Sequence, residues 1–218
     1  QWRADDFGVS IYENYGERFA CNHPLLPVLR LVNIDTGVEK LKLAYRKGKQ
    51  WRYIIADKKT LASANSILEL ANVGVAVNSE NAKGLVRYLH DVESLNYDLI
   101  PEKNSVSRMG WIEGEGFSPY VDELVFDGDA NFRTFFESVQ EHGNDQKWLE
   151  VAREVRQGAS IPARIILAAS FASVMVRPMC ALPFFVHLWG GTEVGKTVGL
   201  MLAASVWANP EVGRYIHT

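Results

Sequence analysis

Along residues 38–46 apolar and polar side chains alternate: Leu41, Leu43 and Tyr45 fall on one face, Lys40, Lys42 and Arg46 on the other. A strand with one buried face has that period of two. Residues 8–12 alternate as well, and residues 26–33 have strand-like composition. Glu13-Asn14-Tyr15-Gly16 reads as a turn, Asp35-Thr36-Gly37 as a hairpin bend, and Lys47-Gly48-Lys49 turns the chain before residues 51–56 return it. Residues 7–60 are therefore expected to form an antiparallel sheet with one wet face.

The pattern then changes period. Residues 63–72 predict a helix capped by Ser63 and ended at Gly74, and Ser79 opens a second whose stripe is Leu85, Val86, Leu89 and Val92. Val75-Ala76-Val77 between them fits a short strand, and residues 96–107 read as a loop. A second β-region starts at Arg108-Met109-Gly110-Trp111-Ile112 and reaches Leu124-Val125-Phe126, while residues 132–139 fit strand or helix equally. His142-Gly143-Asn144-Asp145 breaks the composition. Beyond it come a helix over 148–156 with Asp145 as N-cap, then one over 163–176 with Ser160 as cap and Pro162 in its first turn. That second helix is apolar on every face, so it is expected to be buried.

The last pattern is an apolar run of strand length, residues 184–189, followed by Gly190-Gly191-Thr192-Glu193-Val194-Gly195-Lys196-Thr197-Val198 and a helical stripe. The spacing is that of the phosphate-binding P-loop, G-x-x-x-x-G-K-[ST], in the strand–loop–helix context that the motif requires. The glycines let backbone N–H groups turn inward onto phosphate oxygens, and the helix adds the positive end of its dipole. Residues 190–198 are thus the expected ATP site. Lys196 supplies the catalytic point charge, and the Thr197 hydroxyl is placed for Mg²⁺. His187 is expected in the core rather than in the chemistry.

Composition narrows the remainder. The chain has 218 residues, 47 % hydrophobic and 22 % charged, the balance of an ordinary globular protein. Cys21 and Cys180 are too few and too far apart for a disulfide framework, and His23 beside Cys21 does not complete a zinc site. The N-terminal residues lack a signal-peptide pattern, and the longest charge-free apolar stretch, residues 165–176, is shorter than the roughly 20 residues that span a bilayer. A cytoplasmic protein without membrane partners is expected. Residues 40–59 hold eight basic side chains and one acid, a local charge of +7 that leaves −10 elsewhere on a chain of net −3. Lys40, Lys42, Arg46, Lys47, Lys49 and Arg52, interleaved with Tyr45, Trp51 and Tyr53, are the candidate nucleic-acid contacts. A solvated hairpin whose lysines discourage edge pairing fits the same residues.

Several segments, taken in order, resemble one family. They are Cys21-Asn22-His23-Pro24-Leu25, Gly74-Val75-Ala76-Val77, Tyr88-Leu89 and Arg108-Met109-Gly110-Trp111. Trp148, Ala168-Ala169-Ser170-Phe171-Ala172, the loop, and Leu202-Ala203-Ala204-Ser205-Val206-Trp207 before Pro210 complete the series. The chain resembles DUF927, a family of phage, plasmid and mobile-element domains described as helicases or primase-helicases. Glu193 departs from it, since the family's loop usually carries serine or threonine there. The resemblance implies a replication-type ATPase motor, a ring of subunits that binds ATP between neighbours and translocates on single-stranded or forked DNA. The expected architecture is an α+β accessory domain over residues 1–141, antiparallel and β-rich with two helices. The incomplete start of a P-loop α/β ATPase domain follows over residues 142–218. Only 21 residues follow Thr197, and no acidic strand end or arginine for turnover is placed. The sequence is therefore expected to be a piece of a longer protein that binds nucleotide weakly without turning it over. The rival readings are a DNA- or partner-binding module with an incomplete P-loop, and an unrelated P-loop enzyme such as a small-molecule kinase.

Overall fold

A computed structural model of the chain describes residues 1–13 and 16–210. Its strands are β1 Trp2–Asp5, β2 Gly8–Glu13, β3 Gly16–Cys21, β4 Leu25–Asn33, β5 Glu39–Lys47, β6 Gln50–Asp57, β7 Glu102–Val106, β8 Gly110–Ile112, β9 Gly116–Ser118 and β10 Val125–Phe126. The helices are α1 Lys58–Leu61, α2 Ala82–Leu95, α3 Ala130–Ser138, α4 Asp145–Gly158, α5 Ile161–Met175 and α6 Lys196–Ala204, with a 3₁₀ helix over Ser66–Val73. The fold is mixed α/β with antiparallel sheets. Two compact units divide it: Gln1–Ser107 with Glu123–Asp127, and Arg108–Asp122 with the chain from Gly128 onward. The composition break at His142 to Asp145 falls inside the second unit, just before and at the start of α4.

In the first unit β1, β2 and β3 form an antiparallel sheet in which Glu13 stands opposite Gly16; the expected turn at Asn14 and Tyr15 lies outside the described residues. The larger sheet has the order β10-β7-β4-β5-β6. Its β4-β5-β6 part is the expected antiparallel meander, with Lys47 opposite Gln50 across the hairpin turn. The remainder corrects the expectation, because β7 lies parallel to both β4 and β10, and residues 102–106 are strand rather than loop. Glu102-Lys103-Asn104-Ser105-Val106 carries too little apolar pattern to reveal a strand, yet its backbone joins β4 to β10.

The core gathers on the face that carries Leu41, Leu43 and Tyr45. These residues are buried with Ile67 and Leu70 of the 3₁₀ helix and with Leu85 and Leu89 of α2. Residues 66–73 wind as 3₁₀ rather than α, which eclipses Ile67 and Leu70 at a spacing of three. Gly74 ends the turn in the left-handed region at φ +94°, its N–H reaching the carbonyls of Ala71 and Leu70. α2 starts at Ala82 rather than Ser79, and Val75 and Val77 are buried without joining a ladder.

The opposite face is not uniformly wet. Pro27 cannot donate to the ladder, and a register shift between Pro27 and Leu29 sets Leu31 opposite Lys40. Leu31 is fully buried there. Beside it the Asp127 carboxylate accepts hydrogen bonds from Asn33 Nδ2 at 3.1 Å and Ser105 Oγ at 2.8 Å, while Lys40 Nζ donates to the Asp127 carbonyl at 2.7 Å. A buried carboxylate is tolerable only with such partners.

In the second unit β8 and β9 make a two-stranded hairpin, and residues 130–138 settle as helix, with the Asp129 carboxylate accepting from the Asn131 N–H. Asn144 caps α4, accepting from the Lys147 N–H at 3.0 Å; Asp145, the expected cap, is the first helical residue. α5 overturns the expectation of burial. Only Ile166 and Leu167 are buried, while Ile161, Ile165, Phe171 and Met175 are exposed. The helix packs mainly against α6 and in part against α4, so one stripe is covered and the other apolar faces are not. Residues 184–189 are not a strand: they pair with no other strand among the described residues, and Phe185 is 99 % exposed. No helix among the described residues is long and apolar enough to cross a membrane.

Candidate nucleotide and nucleic-acid sites

The loop over residues 190–197 is shaped by its glycines. Gly190 has φ +149°, and a Cβ on it would stand 3.0 Å from Val194 Cγ2. Gly195, at φ +83°, is the N-cap of α6 and turns the chain directly into the helix at Lys196. Glu193 also sits in the left-handed region, at φ +64°, which is uncommon for a residue with a Cβ. The Lys196 ammonium folds back and donates to the carbonyls of Gly190 at 3.0 Å and Gly191 at 2.5 Å. Nothing lies within 4 Å of where Cβ atoms on Gly191 and Gly195 would be, so space is open at these positions. Thr197 is half-buried in the first turn of α6, and Val198 is exposed after it.

These groups fit a polyphosphate. The donor set consists of backbone N–H groups at a helix start, one ammonium and one hydroxyl, with Cβ-free backbone where an anion would approach. In the loop as it stands, the carbonyl oxygens of Gly190 and Gly191 are the partners of Lys196. Gly199 brings α6 close to its neighbours: a Cβ there would meet Ile166 Cδ1 at 2.9 Å and Leu188 Cδ1 at 3.6 Å. His187, expected in the core, is exposed.

The six basic residues of the hairpin do not form one free patch. Lys40 is held by the Asp127 carbonyl and lies 3.6 Å from Asp57. Arg46 clamps Asp6, bonding its carboxylate and its carbonyl at 2.8 Å each. Lys47 lies across Gly74, with its Nζ 2.8 Å from where a Cβ would be. Lys42 rests 5.1 Å above the Tyr53 ring. The Lys49 and Arg52 side chains are exposed and, among the described residues, have no hydrogen-bond or ion-pair partner. Strand alternation places Trp51 and Tyr53 on the face of Lys42 and Arg46, opposite Arg46 and Ala44 in register, and puts Arg52 on the other face. Trp51 and Tyr53 are 46 % and 62 % exposed, so the free surface of the hairpin is aromatic as much as basic.

Cys21 and His23 belong to the packing. The Ala76 N–H donates to His23 Nε2 at 2.9 Å, which leaves Nδ1 to donate to the Pro24 carbonyl at 3.1 Å. Burial pushes the Cys21 thiol up, away from the reactive thiolate. Among the described residues no group of three or more His, Cys, Asp or Glu could hold a metal ion.

Sequence reasoning missed an aromatic lattice in the second unit. Trp111 Nε1 donates to the Val174 carbonyl at 2.6 Å, and the Trp111 carbonyl accepts from Arg108 at 3.0 Å and Arg177 at 2.7 Å. Phe117 packs edge-on to Trp111 and stacks on Trp207, and Phe171 meets both Trp207 and Trp148 edge-on. Trp207 Nε1 donates to Ser170 Oγ and Trp148 Nε1 to Ser205 Oγ, each at 3.1 Å. Segments far apart in sequence that carried the resemblance, around 108–111, 148, 168–172 and 202–207, thus meet in one cluster. The signal was present as family words, not as periodicity.

A family model described as a domain of unknown function, DUF927, matches residues 8–218. The chain belongs to the DUF927 family. Comparison with curated proteins returns no match. Membership covers both units, so the hairpin and the loop are parts of one family domain.

Proposed function

We propose that this DUF927 chain serves an ATP-dependent DNA helicase or primase-helicase of a mobile element, and that residues 190–198 hold ATP with Mg²⁺. The observation that carries the reading is the closed loop in which Lys196 already turns inward onto the Gly190 and Gly191 carbonyls at the start of α6. On binding, Lys196 exchanges these carbonyls for terminal phosphate oxygens. The N–H groups from Gly191 to Thr197 line the phosphates, and Thr197 offers its hydroxyl to Mg²⁺. Bound MgATP supplies the phosphoanhydride whose cleavage would drive strand movement. In the working protein the site would lie between subunits of a ring, in the cytoplasm. Calorimetric titration with MgATP tests the reading: Lys196→Ala should lose at least tenfold in affinity, and Thr197→Ala should weaken the Mg²⁺ dependence. Equal binding by wild type and Lys196→Ala would sink it.

The second reading, a DNA-binding module, rests on Trp51 and Tyr53, exposed two residues apart on β6 beside Lys42. That arrangement suits stacking on unpaired bases, with Lys42 on the same face, Lys49 at the hairpin turn and Arg52 on the reverse of the strand for the backbone phosphates. Polarisation with labelled single strands should show Trp51→Ala and Tyr53→Ala each losing about 1–3 kcal/mol. Lys49→Ala and Arg52→Ala should flatten the salt dependence. Equal affinity of all four variants and wild type would leave the hairpin as a solvated edge.

A further inference from the structure

Beside the loop the second unit has a groove of about 750 Å³. This is within the roughly 300–1,000 Å³ of small-molecule sites. One wall is Val155 of α4 with Pro162 and Ala163 of α5, and the other is Leu188 and Leu202. Val194, Gly195 and Lys196 belong to both the groove and the loop, so the two are continuous. Ser160 and His187 are polar groups in an otherwise largely apolar lining, and the Ser160 hydroxyl makes no capping bond although it stands at the N-cap of α5. Trp189, 84 % exposed, completes the lining next to Gly190.

We propose that this groove takes the base and sugar of the nucleotide whose phosphates the loop holds; the inference rests on the reading of the loop given above. An aromatic heterocycle suits apolar walls with a few polar groups at the edge. The shared residues fix the geometry: a phosphate chain seated over Gly195 and Lys196 leaves its sugar and base at the groove. The helices α4 and α5 then become part of the nucleotide site and not only a lead-in to it. His187 and Ser160 are the groups that would meet the polar edge of the base or the ribose.

The test compares MgATP with magnesium tripolyphosphate, which has the phosphates and no base. Wild type should bind ATP at least tenfold more tightly at equal ionic strength, because only ATP buries apolar surface in the groove. Ala163→Phe, which fills the groove, should bring ATP down to the level of tripolyphosphate while tripolyphosphate binding is kept. If that variant loses both ligands, Val151→Gln decides instead. Val151 is a half-exposed wall residue that needs no repacking, and its replacement should cut the preference for ATP about threefold. Equal binding of ATP and tripolyphosphate by wild type overturns the groove and leaves the loop standing. Binding of neither overturns both. A preference for ATP that survives in Ala163→Phe, or in Val151→Gln where that variant decides, puts the base elsewhere and overturns the groove.

Discussion

The two units spend the same kinds of residue differently. In the first, α2 presents one stripe and buries it: Ala82, Leu85, Tyr88 and Leu89 are inside, and the polar face is outside. In the second, α4 and α6 bury no residue fully and α5 buries two, although α5 is the most apolar of the three. The difference lies in what each helix packs against. The five-stranded sheet offers the first unit a wide apolar face, and one helix with a 3₁₀ turn covers it. The second unit has a hairpin of two three-residue strands and a run without regular structure, so helices meet helices over narrow stripes. An apolar helix is buried only where enough surface surrounds it.

The largest effect should follow that contrast directly. Leu85→Ala empties a fully buried position and should cost about 2–5 kcal/mol. Ile165→Ala, from a side chain about half exposed, should cost less than about 1 kcal/mol. Hydrogen exchange, followed separately in α2 and α5, resolves the two without assuming that the units unfold together. Comparable losses in both helices would break the comparison.

The buried polar cluster comes next. Asp127→Ala strands Asn33 Nδ2 and Ser105 Oγ inside the sheet and should cost about 2–3 kcal/mol. Asn33 also holds the following turn, its Oδ1 accepting from the N–H groups of Asp35 and Thr36. The same exchange experiment should therefore show faster opening of β4 and β7, with α5 unmoved. Protection in β4 and β7 that stays unchanged would mean that the cluster contributes nothing net.

These residues also mark how far the sequence could be read. The alternation of Leu41, Leu43 and Tyr45 revealed β5 because its two faces meet different surroundings. Strand β7 was hidden because Glu102, Lys103 and Asn104 are exposed, and Ser105 serves the Asp127 cluster rather than an apolar core. Residues 184–189 failed in the opposite sense: aromatic and β-branched composition suits a strand, but a ladder needs a neighbour, which local pattern does not report. At the loop, spacing and chemistry were legible; the inward turn of Lys196 depends on the path of the loop backbone, and the neighbouring groove on how α4 and α5 lie. In the hairpin the sequence exposed the charges but not their partners, since Asp6 and Asp127 are distant from Arg46 and Lys40.

An alkaline titration probes the first unit through Tyr88, beside the Cys21 thiol there and the Tyr120 hydroxyl of the second unit, which burial also pushes up. Burial pushes the Tyr88 hydroxyl up to about 12 while it donates to the Leu25 carbonyl at 2.8 Å. A folded value above the unfolded one stabilises fully below pH 10, and the contribution is lost as pH rises from about 10 to 12. The first unit should thus lose up to about 2 kcal/mol over that window. Tyr88→Phe should be less stable at neutral pH yet show a flatter alkaline limb. If the variant keeps the full alkaline loss, another group is responsible.

The smallest effects come from two left-handed positions, one in each unit. Gly74 has φ +94° and Lys47 lying over it, so Gly74→Ala forces a Cβ into a strained backbone with the Lys47 ammonium 2.8 Å away. It should cost about 1 kcal/mol, read as loss of protection in the 3₁₀ helix. Glu193 already carries that strain at φ +64°. Glu193→Gly relieves it but frees the unfolded chain, and the two terms of about 1 kcal/mol nearly cancel. Stability should move by less than about 0.5 kcal/mol. Affinity for MgATP should nevertheless rise a few-fold at low salt, because one carboxylate leaves the neighbourhood of the phosphates, and the gain should fade as salt is added. A loss of more than 1 kcal/mol in stability would show that Glu193 holds the loop by a contact of its own. Unchanged affinity at low salt would show that its charge stands clear of the bound phosphates.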